Sequence, residues 1–259
     1  MVAVDSAVYS IRGRSILRSR PEAFLWLALL SIFLWLPFEW CNQRLGAWYR
    51  SGYPAGWERY VLLGWSHACI WPALLETADL VLAGSGRPAS RSVARPVPGR
   101  PALLAVSLAG AGCLVLPHVV PRLDVGENLV ALAAVGFLFL LEPLNLAAGR
   151  PSVWADWLSG RWARCGALAL SGLICGTLAD CLNHFSSAKW HSISTLGGGW
   201  KLFELPWPAY FLLPAFGVQA FAMYAFASGI LNLSSVELPT RIARRPDGSH
   251  AARELRGPG

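Results

Sequence analysis

The chain has 259 residues, 54% hydrophobic and only 14% charged, against roughly 25% charged residues in an ordinary soluble domain. That balance excludes a typical water-soluble domain and suits a chain whose solvent is mostly lipid. The net charge of +7 comes almost wholly from arginine in short loops, so it reads as membrane topology and not as a nucleic-acid surface.

A helix needs about 20 apolar residues to cross the hydrocarbon core. Six stretches meet that length in chain order: 23–41, 60–83, 102–121, 128–148, 164–186 and 207–232. The second is interrupted by His67, Pro72, Glu76 and Asp79. Backbone groups in lipid must be satisfied within their own segment, and the alternation of barrel strands is absent. The expected fold is therefore all-α: a polytopic bundle of six transmembrane helices in one domain, residues 1–237, followed by a basic tail, 238–259. Residues 84–101 read as a Pro/Arg/Ser linker between the second and third spans. No signal peptide is expected, because the first apolar run has no small-residue cleavage site and closes on Glu39.

Charge sets the orientation. One side collects 16 of the 22 basic residues: Arg12, Arg14, Arg18, Arg20, Arg87, Arg91, Arg95, Arg100, Arg150, Arg161, Arg164, Arg241, Arg244, Arg245, Arg253 and Arg256. Arg44, Arg50, Arg59, Arg122, Lys189 and Lys201 fall on the other. The rich side is placed in the cytoplasm of a bacterial inner membrane, with both termini there. The 13 Trp suit interfacial belts.

Acidic residues within spans are expensive and mark bundle interiors or wet cavities. Here they recur with a partner three residues on: Glu39 and Asn42, Glu76 and Asp79, Glu142 and Asn145, Asp180 and Asn183. That spacing puts each pair on one helical face. Glu39 precedes Glu142 by 103 residues and Glu76 precedes Asp180 by 104, which maps spans one to three onto four to six. Three crossings is an odd number, so this predicts an inverted 3+3 repeat of the kind found in secondary transporters. All four acids lie near helix C-termini, where the macrodipole disfavours an anion. Arg44 and Arg150 are the expected structural partners of Glu39 and Glu142.

By depth, Glu39, Asp180, Asn183 and His184 group on the outer side, and Glu76, Asp79, Glu142 and Asn145 on the inner side. The segment from Lys189 through Gly197–Gly199 to Glu204 is the richest outer loop, with Lys189, Lys201 and Glu204 placed to close over the outer acids. His67, His118, His184 and His191 share no repeated ligand motif, so they read as polar packing and no metal site is expected. Six Cys lie mostly in apolar runs without a C-x-x-C pair and read as small buried hydrophobes. Which cofactor, if any, is bound stays open.

The stretch Ala179-Asp180-Cys181-Leu182-Asn183-His184, Lys189-Trp190, Lys201-Leu202-Phe203-Glu204-Leu205-Pro206, Pro214-Ala215-Phe216 and Ala222-Met223-Tyr224 resembles a family of bacterial six-span integral membrane proteins. Its signature runs W-E-x-W-N, K-W, K-x-F-E-M-P, P-F, A-M-Y. Phe38-Glu39, Asn42, Trp48-Tyr49 and Leu74–Leu80 fit it as well, so the likeness covers residues 30–230. Asp180 stands where Glu is usual, His184 where an aromatic is usual, and Gln219 where an acid is expected. The resemblance implies the architecture and carries no activity. Pro37-Phe38-Glu39 is also similar to an element of membrane lycopene cyclases, without their doubled acid.

Three functions follow. The first is a small-solute, proton or cation transporter or channel using the intramembrane carboxylates. The second is a non-catalytic subunit of a membrane complex, with other membrane subunits as partners. The third is a membrane-embedded enzyme acting on an isoprenoid or lipid. No phosphate-binding loop, nucleophile elbow or metalloprotease motif appears, which argues against ATP-driven transport and serine hydrolysis. The lipid bilayer is the one partner common to all three readings; nucleic acid is not expected.

Overall fold

The computed structural model describes residues 2–85, 96–119 and 130–233. Most of the linker at 84–101, the facing ends of the expected third and fourth spans (120–121 and 128–129), and the tail at 238–259 lie outside the described residues. Helices dominate: α1 (Val2–Arg12), α2 (Ile16–Ser19), α3 (Pro21–Leu45), α4 (Trp57–Ala68), α5 (Ile70–Gly84), α6 (Arg100–Val119), α7 (Val130–Ala147), α8 (Val153–Leu158), α9 (Ala163–His184) and α10 (Leu213–Leu231). Four of them, α3, α6, α9 and α10, are long and apolar enough to cross a membrane.

The second expected span is broken. Pro72 has no N–H to give the carbonyl four residues back, and the helix divides at Cys69 into α4 and α5. Ser31 on α3 bridges the break. Its hydroxyl donates to the His67 carbonyl and accepts the Trp71 N–H at 3.2 Å. The stretch expected as the sixth span likewise begins as a short 3-10 turn, Trp207–Phe211, before α10.

The all-α expectation fits, with one short ribbon added to the helices. A four-residue strand follows α3, β1 (Trp48–Ser51), and another follows α9, β2 (Lys189–Ser192). They pair antiparallel, with Trp48 opposite Ser192, Tyr49 opposite His191, Arg50 opposite Trp190 and Ser51 opposite Lys189. This ribbon joins the C-terminal ends of α3 and α9, so the two helices run in the same sense towards it.

Each strand is clamped to its helix in the same way. The Asn42 side chain donates to the Trp48 carbonyl at 2.9 Å and accepts its N–H at 3.0 Å. Asn183 donates to the Trp190 carbonyl at 2.8 Å and accepts its N–H at 3.0 Å. Trp48 precedes Tyr49 and Trp190 precedes His191, so the two clamps are disposed symmetrically about the Tyr49–His191 pair. The inverted relation expected from Glu39-Asn42 and Glu142-Asn145 is not seen in these contacts. Asn145 reaches sideways to the Ala222 carbonyl on α10 at 2.9 Å, because no strand follows its helix to be clamped.

The core lies where α5, α7, α9 and α10 meet, around Trp71, Leu75, Leu168 and Phe221. Trp71 donates its indole N–H to the Ala220 carbonyl at 2.8 Å. Aromatic residues crowd the outside of the ribbon end: Trp57, Tyr60, Phe185, Trp200 and Phe211 are all at least 71% exposed. Such a ring is what interfacial anchoring requires.

Candidate functional site

The candidate residues fall into two groups at opposite ends of the bundle. At the ribbon end, Glu39 accepts the Trp35 indole N–H at 2.6 Å and two N–H groups of Arg50, one at 3.0 Å. His67 Nε2 stands 3.7 Å from the same carboxylate. The partner is therefore Arg50 and not the expected Arg44, which is exposed. Only the turn into β1 brings a residue eleven positions on back over Glu39.

Asp180 is fully buried. It accepts the backbone N–H groups of Glu204 and Leu205, each at 3.2 Å, and the Tyr210 hydroxyl. It thus ties the Gly197–Pro206 loop down onto α9. Glu204 faces three cationic or imidazole groups: His184 Nδ1 at 3.4 Å, Lys189 Nζ at 3.8 Å and His191 Nδ1 at 3.2 Å. Lys189 also donates to the His184 carbonyl at 2.9 Å, and Lys201 donates to that of Ser192. The loop closes over Asp180, through its backbone amides and not through its lysines. Among the described residues, no three His, Cys, Asp or Glu side chains are grouped so that they could hold a metal ion.

At the far end the acids hold short helices. Asp79 pairs with Arg12 of α1 at 2.6 Å. Burial pulls the Arg12 guanidinium below its usual value, and Asp79 pushes it back up. Glu76 is buried with its Oε1 unmet among the described residues, and Asp5 accepts the Leu17 N–H in α2 at 2.9 Å. Glu142 does the same for α8, accepting the Ser152 hydroxyl at 2.7 Å and the Trp154 N–H at 3.0 Å. Arg150, its expected partner, instead lies 5.1 Å over the Phe226 ring. The cation within electrostatic reach of Glu142 is Arg164, which pairs with Asp156 at 3.1 Å.

Beside that end, between α7 and α10, lies a set of polar atoms that meet no protein partner among the described residues. Glu142, Asn145 and Gln219 are fully buried. Glu142 Oε1, Asn145 Oδ1 and both polar atoms of Gln219 make no hydrogen bond among the described residues. The Asn145–Ala222 bond fixes the register of α7 against α10, and Arg150 against Phe226 and Gly229 shows that the two run parallel. Glu142 and Gln219, each three residues earlier, therefore stand at the same level.

Sequence reasoning missed Arg50, Ser51, Tyr210 and Arg164, and noted Gln219 only as a departure from the family pattern. One signal was available. An offset of 141 or 142 residues aligns Glu39 with Asp180, Asn42 with Asn183, Trp48 with Trp190 and Pro72-Ala73 with Pro214-Ala215. Comparison with protein-family models, curated proteins and solved structures returns no match.

Proposed function

We propose that the protein is a six-span permease of a bacterial cytoplasmic membrane, carrying a small polar solute, proton or cation past Glu142, Asn145 and Gln219. The carrying observation is Gln219, a whole carboxamide buried without a protein partner. A buried donor or acceptor left unmet costs about 1–3 kcal/mol, so such a group persists where it serves a passing ligand or water. The four long helices supply four spans, and α4–α5 and α7 supply the other two. Pairing of the loops after α3 and α9 supports an even number of crossings between them, and the arginine excess supports cytoplasmic termini. The matched clamps favour a same-sense repeat over an inverted one, with the ribbon on its axis.

Gln219→Leu separates this reading from a structural one. It removes the unpaired amide, so the melting temperature should rise, by about 1 kcal/mol or more of stability, while flux in proteoliposomes falls at least tenfold. Glu142→Gln keeps the acceptor for Trp154 and should also lower flux. A destabilised Gln219→Leu protein with unchanged flux would contradict the proposal. The pairing of Glu39 with Arg50 and of Asp79 with Arg12 favours a non-catalytic subunit as the second reading. That reading predicts a stable partner in mild detergent and no flux at all.

A further inference from the structure

Side chains alternate across a strand, so Tyr49 and Ser51 of β1 share one face of the ribbon with Lys189 and His191 of β2. On that face the Tyr49 ring stacks on His191, with centroids 4.9 Å apart and planes at 24°. The imidazole is thereby held flat, with both nitrogens engaged. His191 Nε2 lies 2.8 Å from Ser51 Oγ, and His191 Nδ1 lies 3.2 Å from Glu204 Oε2. A carboxylate can only accept, so the Nδ1 proton points at Glu204 and Nε2 is left to accept the serine proton.

The order of burial is that of a working relay. Glu204 is buried, His191 half-buried and Ser51 exposed. Glu204 is fixed from behind, its N–H held by the fully buried Asp180 and its other oxygen faced by His184 and Lys189. An exposed Ser–His bond gives a fold little, since its groups could equally bond water. A nucleophile needs that exposure.

From this geometry we propose a second activity, independent of transport: Ser51, His191 and Glu204 form a nucleophile–base–acid triad that cleaves a carboxylic ester carried by a membrane lipid. Such triads are recognised by geometry and not by chain order. Here the nucleophile sits on a two-stranded ribbon, without the strand-to-helix elbow whose absence the sequence shows. The lipid class follows from the aromatic side chains at the same end of the bundle: Phe185, Trp200 and Phe211 are each at least 74% exposed, as residues that settle at a membrane–water interface are.

In the first step Ser51 Oγ bonds to the ester carbonyl carbon while its proton passes to His191 Nε2. The carbon–oxygen bond to the alcohol breaks, and the alcohol leaves with that proton. In the second step water adds to the acyl carbon and gives its proton to His191. The bond to Ser51 Oγ then breaks, the serine regains the proton, and the carboxylic acid departs. Glu204 keeps the imidazole in the required tautomer throughout.

The test uses the full chain in lipid nanodiscs with a fluorophosphonate probe and a fluorogenic fatty-acyl ester. The probe is expected to phosphonylate Ser51, located by mass spectrometry, and Ser51→Ala should lose both label and ester turnover while keeping its melting temperature and its flux. His191→Gln should slow both reactions about 100-fold or more, and Glu204→Gln at least tenfold. A folded wild-type protein that neither labels at Ser51 nor turns over the ester overturns the proposal. So does labelling at Ser51 that is equally fast in a folded His191→Gln protein, since that marks only an exposed hydroxyl. Wild-type labelling and turnover decide the matter even where a variant fails to fold.

Discussion

Gly217→Val is expected to leave no monodisperse folded protein after extraction, as read by size-exclusion chromatography and thermal unfolding. A Cβ at Gly217 would lie 2.1 Å from the Leu168 carbonyl oxygen and 2.9 Å from the Gly172 Cα. A Cβ at Gly172 would in turn lie 2.2 Å from the Leu213 carbonyl oxygen and 2.8 Å from the Gly217 nitrogen. All four neighbours are backbone atoms and cannot rotate away. Helices α9 and α10 touch there because neither carries a side chain, the usual device for close helix contact in lipid. Valine must push them apart, and α10 is the most buried of the four long helices. Parting it uncovers Ala220, Phe221, Ala222 and Met223 together, a loss on the order of 4–5 kcal/mol or more. Gly64 on α4 is the control, since a Cβ there meets nothing within 4 Å. Gly64→Ala should be neutral or stabilise by about 0.5–1 kcal/mol.

Asp180→Ala is the second large effect. It orphans three donors at once, the N–H groups of Glu204 and Leu205 and the Tyr210 hydroxyl. Each unmet buried donor costs about 1–3 kcal/mol, so a loss of about 3–5 kcal/mol is expected after local relaxation. Hydrogen exchange should show where it falls: faster exchange at residues 201–211, with α6 and α7 little changed. Asp180→Asn keeps one acceptor oxygen but turns an NH2 towards a donor, and should lose roughly half as much. Exchange that rises evenly across the whole bundle would mean that Asp180 supports the core and not the loop.

The long spans were legible because each is a run of apolar residues that only a helix can bury in lipid. Their ends shifted by a few residues, as for α3, which begins at Pro21 and ends at Leu45. The ribbon was not legible, because Trp48–Ser51 and Lys189–Ser192 are too short for a period of two to stand out. Missing the ribbon hid the partner of Glu39. Arg44 is nearer along the chain, but Arg50 is carried back by a turn that local spacing does not reveal. The same gap hid Ser51, which meets His191 only across the strand pairing. Glu39 and Asp180 meet the ribbon and its loop, whereas Asp79 and Glu142 meet α1 and α8, a division that position along each helix suggests. Their roles were harder to read: Glu142 holds the start of α8, a helix too short to announce itself. Gln219 drew notice only as a departure from a family pattern, and its importance lies in burial, which no single sequence displays.

Carriage past Glu142, Asn145 and Gln219 requires the polar set between α7 and α10 to be a binding site and not a packing fault. A structure of the full chain in lipid nanodiscs, at a resolution that shows ordered water and ions, tests this most directly. Density bridging Glu142, Asn145 and Gln219 is expected. A dry contact, with the Gln219 amide turned onto a helix backbone group, would contradict it.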